Sequence, residues 1–276
     1  MLKKVKNCIP VVVLFVFLLI ILLPVISMVG AAFKNSSEIL TSNSLFTRQP
    51  TLENFRKIFV TTNFGGYIKN SAVIAVSVTV VSTTLASMAG YVISRYQWKY
   101  RFFRVYARLL LILQMFPAML LLIPLYSTFT KLNLVGSKMS VILLYSAFQI
   151  PFSVWLLQSF FTGTPIEVEE SGLIDGCSSF QVFYKLIVPI SSPGIASAAI
   201  FNFIYCWNEY TFANVFLKND NIRTLPVGLS YFIQQFTAEW GSLMAASTLA
   251  VVPVAFFLIF MQKYVIQGLT AGAVKG

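Results

Sequence analysis

The carboxylates of this chain are concentrated in one short segment. The sequence has nine acidic residues, and four of them, Glu167, Glu169, Glu170 and Asp175, lie between positions 167 and 175. There is no histidine, which excludes a histidine-based catalytic or metal site. The three cysteines are too dispersed for a metal or disulfide framework. The acidic segment therefore indicates binding to a soluble partner, and we expect neither enzyme activity nor a metal or cofactor bound by this chain.

The composition indicates a membrane protein. Of 276 residues, 57% are apolar and 11% are charged, with a mean hydropathy of +0.79. Soluble domains carry about 25% charged residues. Because a spanning helix needs about 20 apolar residues, the length allows roughly six spans. The net charge of +11 comes from basic residues beside apolar runs. There they act as orientation signals, so no nucleic-acid partner is expected.

Six weakly charged apolar runs predict an all-α polytopic fold with six transmembrane helices. The first, 9–29, follows a signal-like group of lysines, but it is too long for a signal peptide and is interpreted as a retained helix. An extracytoplasmic loop, 30–70, separates it from a five-helix core, 71–264. Prolines within the runs are tolerated in a packed bundle. The core helices are predicted over 71–94, 109–130, 139–164, 193–217 and 241–262.

The density of basic residues predicts the orientation. Lysines cluster in the N-terminal segment, 1–8, and five basic residues lie between Arg95 and Arg108. This density places both termini, the loop 165–189 and the tail 265–276 on the cytoplasmic side of the membrane. The second predicted helix also has a stripe of small residues. That stripe fits either packing within this subunit or a seam against another membrane subunit.

Capping signals predict that the loop 165–189 forms two short helices. For the first helix they are Thr164 as the cap, Pro165 at the first position and Glu167 closing a capping box. Gly176 is predicted to end this helix with a positive φ angle. The second helix is predicted to start with a box formed by Ser178 and Gln181. We expect it to end at Pro189, and Ser192 and Pro193 to start the next span.

The second short helix is predicted to be amphipathic, with Phe180, Phe183, Leu186 and Ile187 on one face. Such a helix could lie among lipid headgroups, as basic amphipathic helices do. The preceding helix is acidic, however, and an anionic inner leaflet would repel it. The charge therefore favours docking to a protein.

The spacing within this loop resembles a known signature. Glu170, Ser171 and Gly172 are followed by three residues and Gly176, then by nine residues, Leu186, one residue and Val188-Pro189. This is similar to the EAA motif of binding-protein-dependent ABC importer permeases, with small and apolar replacements at four positions. Three further segments resemble the MalG-like subunits of maltose-type and multiple-sugar importers: 51–55, 206–210 and 262–276.

The resemblance implies a type I ABC importer permease fold, a place in a bacterial-type plasma (inner) membrane and a set of partners. In this family two permeases, here a MalF-like second subunit, form the pathway, and an extracytoplasmic binding protein delivers the solute. Two ATPase subunits bind ATP and Mg, and this chain has no phosphate-binding Gly-Lys motif of its own. The EAA loop would serve as the coupling helix, and the tail would reach the ATPase. The implied ATPase-coupling residues are Glu167, Glu169, Glu170, Ser171, Gly172, Asp175, Gly176, Phe180 and Phe183, with Gly268, Thr270, Gly272 and Lys275 as the C-terminal contact.

A second group of candidate residues surrounds Glu209, the one charge in the fifth predicted span. Charges within membranes are functional by default, although a position near the outer interface also suits a capping role or contact with the other permease. Aromatic and amide groups beside it suit sugar hydroxyls and ring faces, but aromatic residues also mark membrane interfaces. The possible pathway or interface residues are Tyr205, Trp207, Asn208, Glu209 and Tyr210.

The leading interpretation is a permease subunit that forms half of the pathway of an ATP-driven sugar or oligosaccharide importer. A glycerol-phosphate importer is the alternative within the same subfamily. An autonomous secondary carrier would need inverted repeats and intramembrane ion-coupling residues, and the sequence has no visible repeat. A membrane scaffold that recruits a soluble protein through the acidic loop is the third class considered.

Overall fold

The computed structural model describes residues 2–42, 44–233 and 239–273, and these residues form helices and turns with no β-strand among them. Each helix longer than 25 residues is apolar on average, as a helix in contact with lipid must be. The α-helices are α1 (Leu2–Ala32), α2 (Ser36–Thr41), α3 (Glu53–Thr61), α4 (Phe64–Tyr96), α5 (Arg101–Met115), α6 (Leu122–Lys131), α7 (Lys138–Gly163), α8 (Glu167–Ile174), α9 (Ser179–Val182), α10 (Val188–Ile190), α11 (Ser192–Asn208), α12 (Thr211–Phe216), α13 (Leu225–Leu229) and α14 (Trp240–Ala273).

The spanning segments agree with an all-α membrane fold. Four helices are long and apolar enough to cross a bilayer: Pro10–Ala32, Phe64–Tyr96, Lys138–Gly163 and Trp240–Ile259. Two bent helix pairs also pass when each is taken together, with bends of 90° and 77°. The described residues therefore contain four spans, or six if each bent pair crosses the membrane once, which is the number predicted.

The predicted helix 109–130 is wrong as a single element. Helix α5 ends at Met115, a 3₁₀ turn covers Ala118–Leu121, and α6 follows at an angle of 90° to α5. Pro117 has no N–H to continue the ladder, and Phe116 before it is extended, with φ −77° and ψ 127°. Pro117 was expected only to kink a continuous helix, but the helix is broken there.

The predicted helix 193–217 is also divided. Helix α11 ends at Asn208, and Glu209 is extended before α12 begins. Three helices are longer than predicted: α1 begins at Leu2, α4 begins at Phe64, and α14 continues to Ala273, through most of the predicted tail. Hydropathy marks where apolar residues stop, whereas a helix continues through flanking residues that are compatible with helical geometry.

The chain separates into two compact units. The first contains Met1–Gly65 and Val227–Pro253. In it the buried amide of Asn54 donates to the carbonyls of Ala32 and Lys34 at 2.9 and 2.7 Å. An exposed ion pair joins Lys57 to Glu239 at 2.9 Å, and this hydrogen bond lowers the pKa of the Glu239 carboxyl.

The second unit contains Gly66–Pro226 and Val254–Gly276 and holds the predicted coupling loop. Its apolar core joins α4, α5, α7, α9 and α11. The small-residue stripe of α4 packs inside this unit, since Ala75, Ser82 and Ala86 are fully buried. A Cβ atom at Gly90 would lie 3.2 Å from the Gln158 nitrogen, so α4 and α7 approach closely there.

Candidate functional site

The loop between α7 and α11 forms two short helices, as predicted. Helix α8 ends at Ile174, and Gly176 has a φ of 85°. Few residues other than glycine adopt that conformation. Helix α9 begins with a complete capping box, in which the Gln181 N–H donates to Ser178 Oγ at 3.3 Å and the Ser178 N–H donates to Gln181 Oε1 at 2.8 Å. These two turn predictions are confirmed.

The predicted Thr164 cap and the predicted helix end at Pro189 are wrong. Helix α8 begins at Glu167, its N-cap residue is Ile166, and no side chain caps it. The Thr164 hydroxyl instead donates to the Phe160 carbonyl at 3.4 Å. Pro189 does not end the second helix, because a π-helical turn, Phe183–Ile187, leads into α10. Helix α11 begins at Ser192 with Pro193 in its first turn, as predicted, although its N-cap residue is Ser191 and no side-chain hydrogen bond caps it.

Burial divides the predicted coupling residues into an inner and an outer set. The inner residues are buried against other parts of the same unit, whereas the outer residues are exposed. Of the nine residues, three are buried and six are exposed, and their coupling role stays a prediction. Inside are Glu169, Gly172 and Phe183; outside are Glu167, Glu170, Ser171, Asp175, Gly176 and Phe180.

Glu169 forms a buried ion pair with Arg95 at the end of α4. Its Oε1 atom accepts from Arg95 Nε and lies 2.6 Å from Arg95 Nη2, and both side chains are 12% exposed. Its Oε2 atom accepts from the Tyr91 hydroxyl at 2.7 Å. The guanidinium carbon of Arg95 lies 5.7 Å from the centroid of the Tyr91 ring. Both oxygens of the Glu169 carboxylate therefore accept hydrogen bonds from α4. The two donors, Tyr91 and Arg95, are one helical turn apart.

Arg95 also binds the C-terminal end of α7. Its Nη1 donates to the Phe161 carbonyl at 2.8 Å, and its Nη2 donates to the Thr164 carbonyl at 3.2 Å. A cation at this position is favourable because the last carbonyls of a helix lack partners within it. The guanidinium thus joins α4, α7 and α8, and we call Arg95, Glu169 and Tyr91 the loop clamp. From the sequence, Arg95 was predicted only to be an orientation signal, because its partners lie far away along the chain.

Gly172 packs α8 against the second half of the loop. A Cβ atom there would lie 2.5 Å from Leu186 Cδ1 and 3.2 Å from Val182 Cγ2. The Gly172 carbonyl also accepts from the Cys177 N–H at 3.0 Å. A glycine suits this position because Leu186 and Val182 of the same chain lie close to it. The two helices of the loop are therefore packed together as one body.

The side chains that are buried by the second helix of the loop differ from those predicted. Phe183 and Ile187 are buried in the core, while Phe180 is 62% exposed. A π-helical turn, Phe183–Ile187, follows α9, and the buried residues of this stretch are Val182, Phe183 and Ile187. The predicted face assumed a regular α-helical period, which does not hold here.

The outward side of the loop carries acidic and apolar groups together. Ile174 is 85% exposed and Leu173 is 49% exposed, although both are large and apolar. Exposed apolar patches that are rimmed by polar residues mark surfaces that bind another protein. We call this surface the exposed loop face; it consists of Glu167, Glu170, Ser171, Leu173, Ile174, Asp175, Phe180 and Tyr184.

Glu209 has a capping role. Its carboxylate accepts from the Phe212 and Ala213 N–H groups at 2.9 and 3.1 Å, and the Tyr145 hydroxyl also donates to it. The first turn of α12 therefore uses this charge as its cap. The predicted fifth span is interrupted at the same residue, which is extended with φ −72° and ψ 122°.

The other residues predicted around Glu209 do not converge on one point. Trp207 is buried and stacks on Phe203 at 5.6 Å. Asn208 donates to the Ile204 carbonyl at 2.9 Å, and Tyr210 is exposed. Tyr205 lies edge-on to Tyr145, with ring centroids 6.0 Å apart. Of the five predicted residues, Tyr205 lines the cavity that follows.

A cavity of about 740 Å³ lies where the α5–α6 break faces α7. Gln149 on its wall donates to Asn202 Oδ1 at 3.2 Å, and Asn202 is fully buried. Asn202 also binds Ser153 and Thr83, so a polar cluster joins α4, α7 and α11. Neither feature was predicted from the sequence, because the helix break creates the cavity and the polar cluster joins residues that are distant along the chain. Its aromatic and amide lining consists of Gln114, Phe116, Phe129, Phe148, Gln149, Phe152 and Tyr205.

The described part of the chain contains no group of three or more histidine, cysteine or carboxylate side chains that could hold a metal ion. The C-terminal contact predicted from the resemblance falls near the limit of that part. Gly268, Thr270 and Gly272 lie within α14, while Lys275 lies outside the described residues.

Comparison with known sequences identifies the family. Residues 82–271 match the family described as binding-protein-dependent transport system inner membrane component. The chain is 36% identical over 262 residues to the trehalose/maltose transport system permease protein MalG of Thermococcus litoralis, covering 94% of this chain and 93% of that protein. It is 33% identical over 266 residues to the diacetylchitobiose uptake system permease protein DasC of Streptomyces coelicolor, covering 96% and 95%.

A solved structure has the same fold. A chain in the crystal structure of a bacterial ABC transporter involved in the import of the acidic polysaccharide alginate superposes with a TM-score of 0.82. The match covers 95% of this chain and 97% of that chain at 19% sequence identity. With the apolar spans, the family match and the MalG relative, these findings lead to one conclusion. The chain belongs to the binding-protein-dependent transport system inner membrane components, as a non-catalytic permease component of an ABC importer.

Proposed function

We propose that this permease imports a sugar or oligosaccharide and that its exposed loop face docks into an ATPase subunit. The observation that carries the proposal is the two-sided loop. Its outer side offers Glu167, Glu170 and Asp175 together with exposed apolar groups, while its inner side is held by the loop clamp. Carboxylates at such a surface accept charge-assisted hydrogen bonds from a basic cleft.

The clamp supports a mechanical role for the loop. Glu169 is bonded to α4, and Arg95 is bonded to the end of α7, so movement of α8 is passed to two spanning helices. Gly172 allows α8 to pack closely on the second loop helix. A packed element of this kind moves as a body and has discrete positions, which suits alternating access driven by ATPase closure.

The cavity supports a neutral solute. Among the described residues, no charged side chain lines it, while aromatic rings and two amides do. Aromatic rings bind the apolar faces of sugars, and amides bind hydroxyl groups. The relatives named for trehalose, maltose and diacetylchitobiose uptake agree with this chemistry. A phosphorylated solute would require basic groups at the cavity.

The remaining components are supplied by partners. A second, MalF-like permease would complete the pathway, and an extracytoplasmic binding protein would deliver the solute. Two ATPase subunits would bind ATP and Mg, and both termini of this chain would lie in the cytoplasm with the loop. The C-terminal segment 268–275 is proposed as a second ATPase contact. Beside Glu209, the exposed residues Asn208 and Tyr210 are proposed to contact the second permease next to the pathway.

Solute uptake by reconstituted complexes tests the proposed function. Proteoliposomes would contain this chain, its second permease and its ATPase subunits, with binding protein outside and ATP inside. We expect uptake of labelled maltose, trehalose or diacetylchitobiose that requires both ATP and binding protein, and no uptake of glycerol 3-phosphate. Omission of each component in turn provides the controls.

Three results would contradict the proposal. Uptake driven by an ion gradient without ATP would identify a secondary carrier. Uptake of glycerol 3-phosphate alone would reject the sugar assignment. Absence of all ATP-dependent uptake in a complex that retains every subunit would reject transport and favour a scaffold.

A further inference from the structure

The polar cluster around Asn202 lies midway along the spanning helices. Gln149 is near the middle of α7, and Asn202 is near the middle of α11. The two residues are 8% and 0% exposed. Hydrocarbon at this depth offers no hydrogen bonds, so polar side chains here are costly and mark functional sites by default. The cluster is therefore a candidate for a role in the pathway as well as in packing.

Asn202 holds the amide of Gln149 in one orientation. Its Oδ1 atom accepts from Gln149 Nε2 at 3.2 Å and from Ser153 Oγ at 3.0 Å. Its Nδ2 atom donates to Thr83 Oγ1 on α4 at 3.1 Å. Because α4 uses the nitrogen of the Asn202 amide, the oxygen of that amide is bonded to Gln149, and Gln149 turns its own nitrogen toward α11.

The side-chain oxygen of Gln149 is left for the cavity. Gln149 lines the cavity of about 740 Å³ where the α5–α6 break faces α7. Within the described residues, its Nε2 atom is bonded to Asn202 and no donor is bonded to its Oε1 atom. An amide oxygen accepts up to two hydrogen bonds, and a buried acceptor that lacks a donor is costly. The donor therefore has to come from the occupant of the cavity.

Aromatic rings and two further polar groups line the same cavity. Phe152 is three residues after Gln149, so the two share a face of α7, and Phe148 directly precedes Gln149. Gln114 brings an amide from α5, and Tyr205 brings a hydroxyl from α11. Small-molecule sites have volumes of about 300–1,000 Å³ and combine apolar walls with a few placed polar groups. A sugar supplies both the apolar ring face and the hydroxyl donors that this lining requires.

We infer that Gln149 is a specificity-determining residue, whose Oε1 atom accepts a hydrogen bond from a hydroxyl group of the solute, and that Asn202 is its positioning residue. The inference rests on the proposed function, because it requires the cavity to be part of the pathway. It adds a direct solute contact made by this subunit. A site built to bind a hydroxyl rejects an analogue that lacks it, since the buried oxygen is then left unpaired.

Uptake of a sugar and of its monodeoxy analogues by the complete importer tests this contact. The binding protein is saturated with whichever of maltose, trehalose or diacetylchitobiose the wild type transports, or with an analogue that lacks one hydroxyl. Gln149→Met should lower the preference for the parent sugar over one analogue on the order of 10-fold, as for one buried hydrogen bond. Discrimination by the binding protein cancels, because the same binding protein serves the variant and the wild type.

Three other variants separate solute binding from packing. Gln158→Met makes the same change on the same helix, where Gln158 donates to Gln97 Oε1 at 3.0 Å, and should leave the preference unchanged. Asn202→Leu should lower the preference but add nothing to Gln149→Met, whereas a purely structural role would lower uptake of both sugars equally. Thr83→Val loosens Asn202 with little change of shape, and it should lower the preference partly even if Asn202→Leu prevents assembly.

The contradicting results are distinct from one another. Normal uptake with an unchanged preference in Gln149→Met would overturn the inference and leave the proposed function intact, as expected if a helix of the second permease fills the cavity. Additive effects of Asn202→Leu and Gln149→Met on the preference would overturn the positioning role. Absence of uptake of all three sugars by the wild-type complex would contradict the proposed function, and the inference with it.

Discussion

Replacing Arg95 with glutamine is expected to lower ATP-driven uptake about 5- to 150-fold, the range of a typical coupling free energy between two sites. The change leaves the Glu169 carboxylate buried without its cation, which costs about 3–5 kcal/mol when a buried pair loses one partner. The Phe161 and Thr164 carbonyls also lose a donor. Uptake and ATP hydrolysis, measured on the same proteoliposomes, should separate, with hydrolysis retained.

A reversed pair distinguishes the clamp from a general loss of stability. Arg95→Glu combined with Glu169→Arg should transport better than either single variant, because the attraction is restored although the α7 carbonyls remain without their donor. Lys138→Gln at the other end of α7 is the matched control and should behave like the wild type. If the two single effects add with no recovery in the pair, the residues do not act together and the clamp is refuted.

Replacing Gly172 with leucine is expected to remove the ATPase subunits from the complex. The new side chain would enter space held by Leu186 and Val182, and overpacking of this kind costs about 1–3 kcal/mol. Helix α8 would then move away from the second loop helix and carry the exposed loop face with it. The amount of ATPase that copurifies with the permease measures the effect.

Two variants make the Gly172 result specific. Gly163→Ala adds a methyl group to a helical glycine with no neighbour within 4 Å, and it should leave ATPase copurification unchanged. Leu186→Ala should restore part of the ATPase binding lost in Gly172→Leu, because it vacates the space that the leucine enters. Normal ATPase copurification with Gly172→Leu alone would show that the packing of the loop does not matter for docking.

The loop between α7 and α11 shows which structural features can be predicted from local sequence patterns. Gly176 and the Ser178–Gln181 pair were predictable because each depends on residues within one turn. The exposure of Phe180 was not predictable, because a π-helical turn changes the period after α9. Local rules thus predicted where the helices of the loop bend, and they failed where the helical period changes.

The loop clamp required contacts that no local pattern contains. Arg95 and Glu169 are separated by 74 positions in the sequence and meet because α4 packs beside α7. One signal was nevertheless present: Glu169 and Gly172 are three residues apart and so share a helix face, while Glu170 lies on another. A glycine on the same face as a carboxylate indicates close packing there, and it could have placed Glu169 inside.

The helix break at Pro117 has the largest consequence for the pathway. Prolines are tolerated in membrane helices when neighbours satisfy the freed carbonyls, so hydropathy alone cannot distinguish a kink from a break. The extended Phe116 before the proline decides the outcome here. Because the cavity exists only where α5 and α6 diverge, its amide and aromatic lining could not be assembled from the sequence.

Photo-cross-linking from position 174 tests the central claim most directly. A benzophenone amino acid in place of Ile174, which is 85% exposed, should capture an ATPase subunit in the assembled complex. The same group in place of Trp155, which is 49% exposed within spanning helix α7, should not. A cross-link from position 174 to the ATPase is the result predicted by docking of the exposed loop face. Cross-links from position 174 only to lipid or to its own chain would contradict that docking.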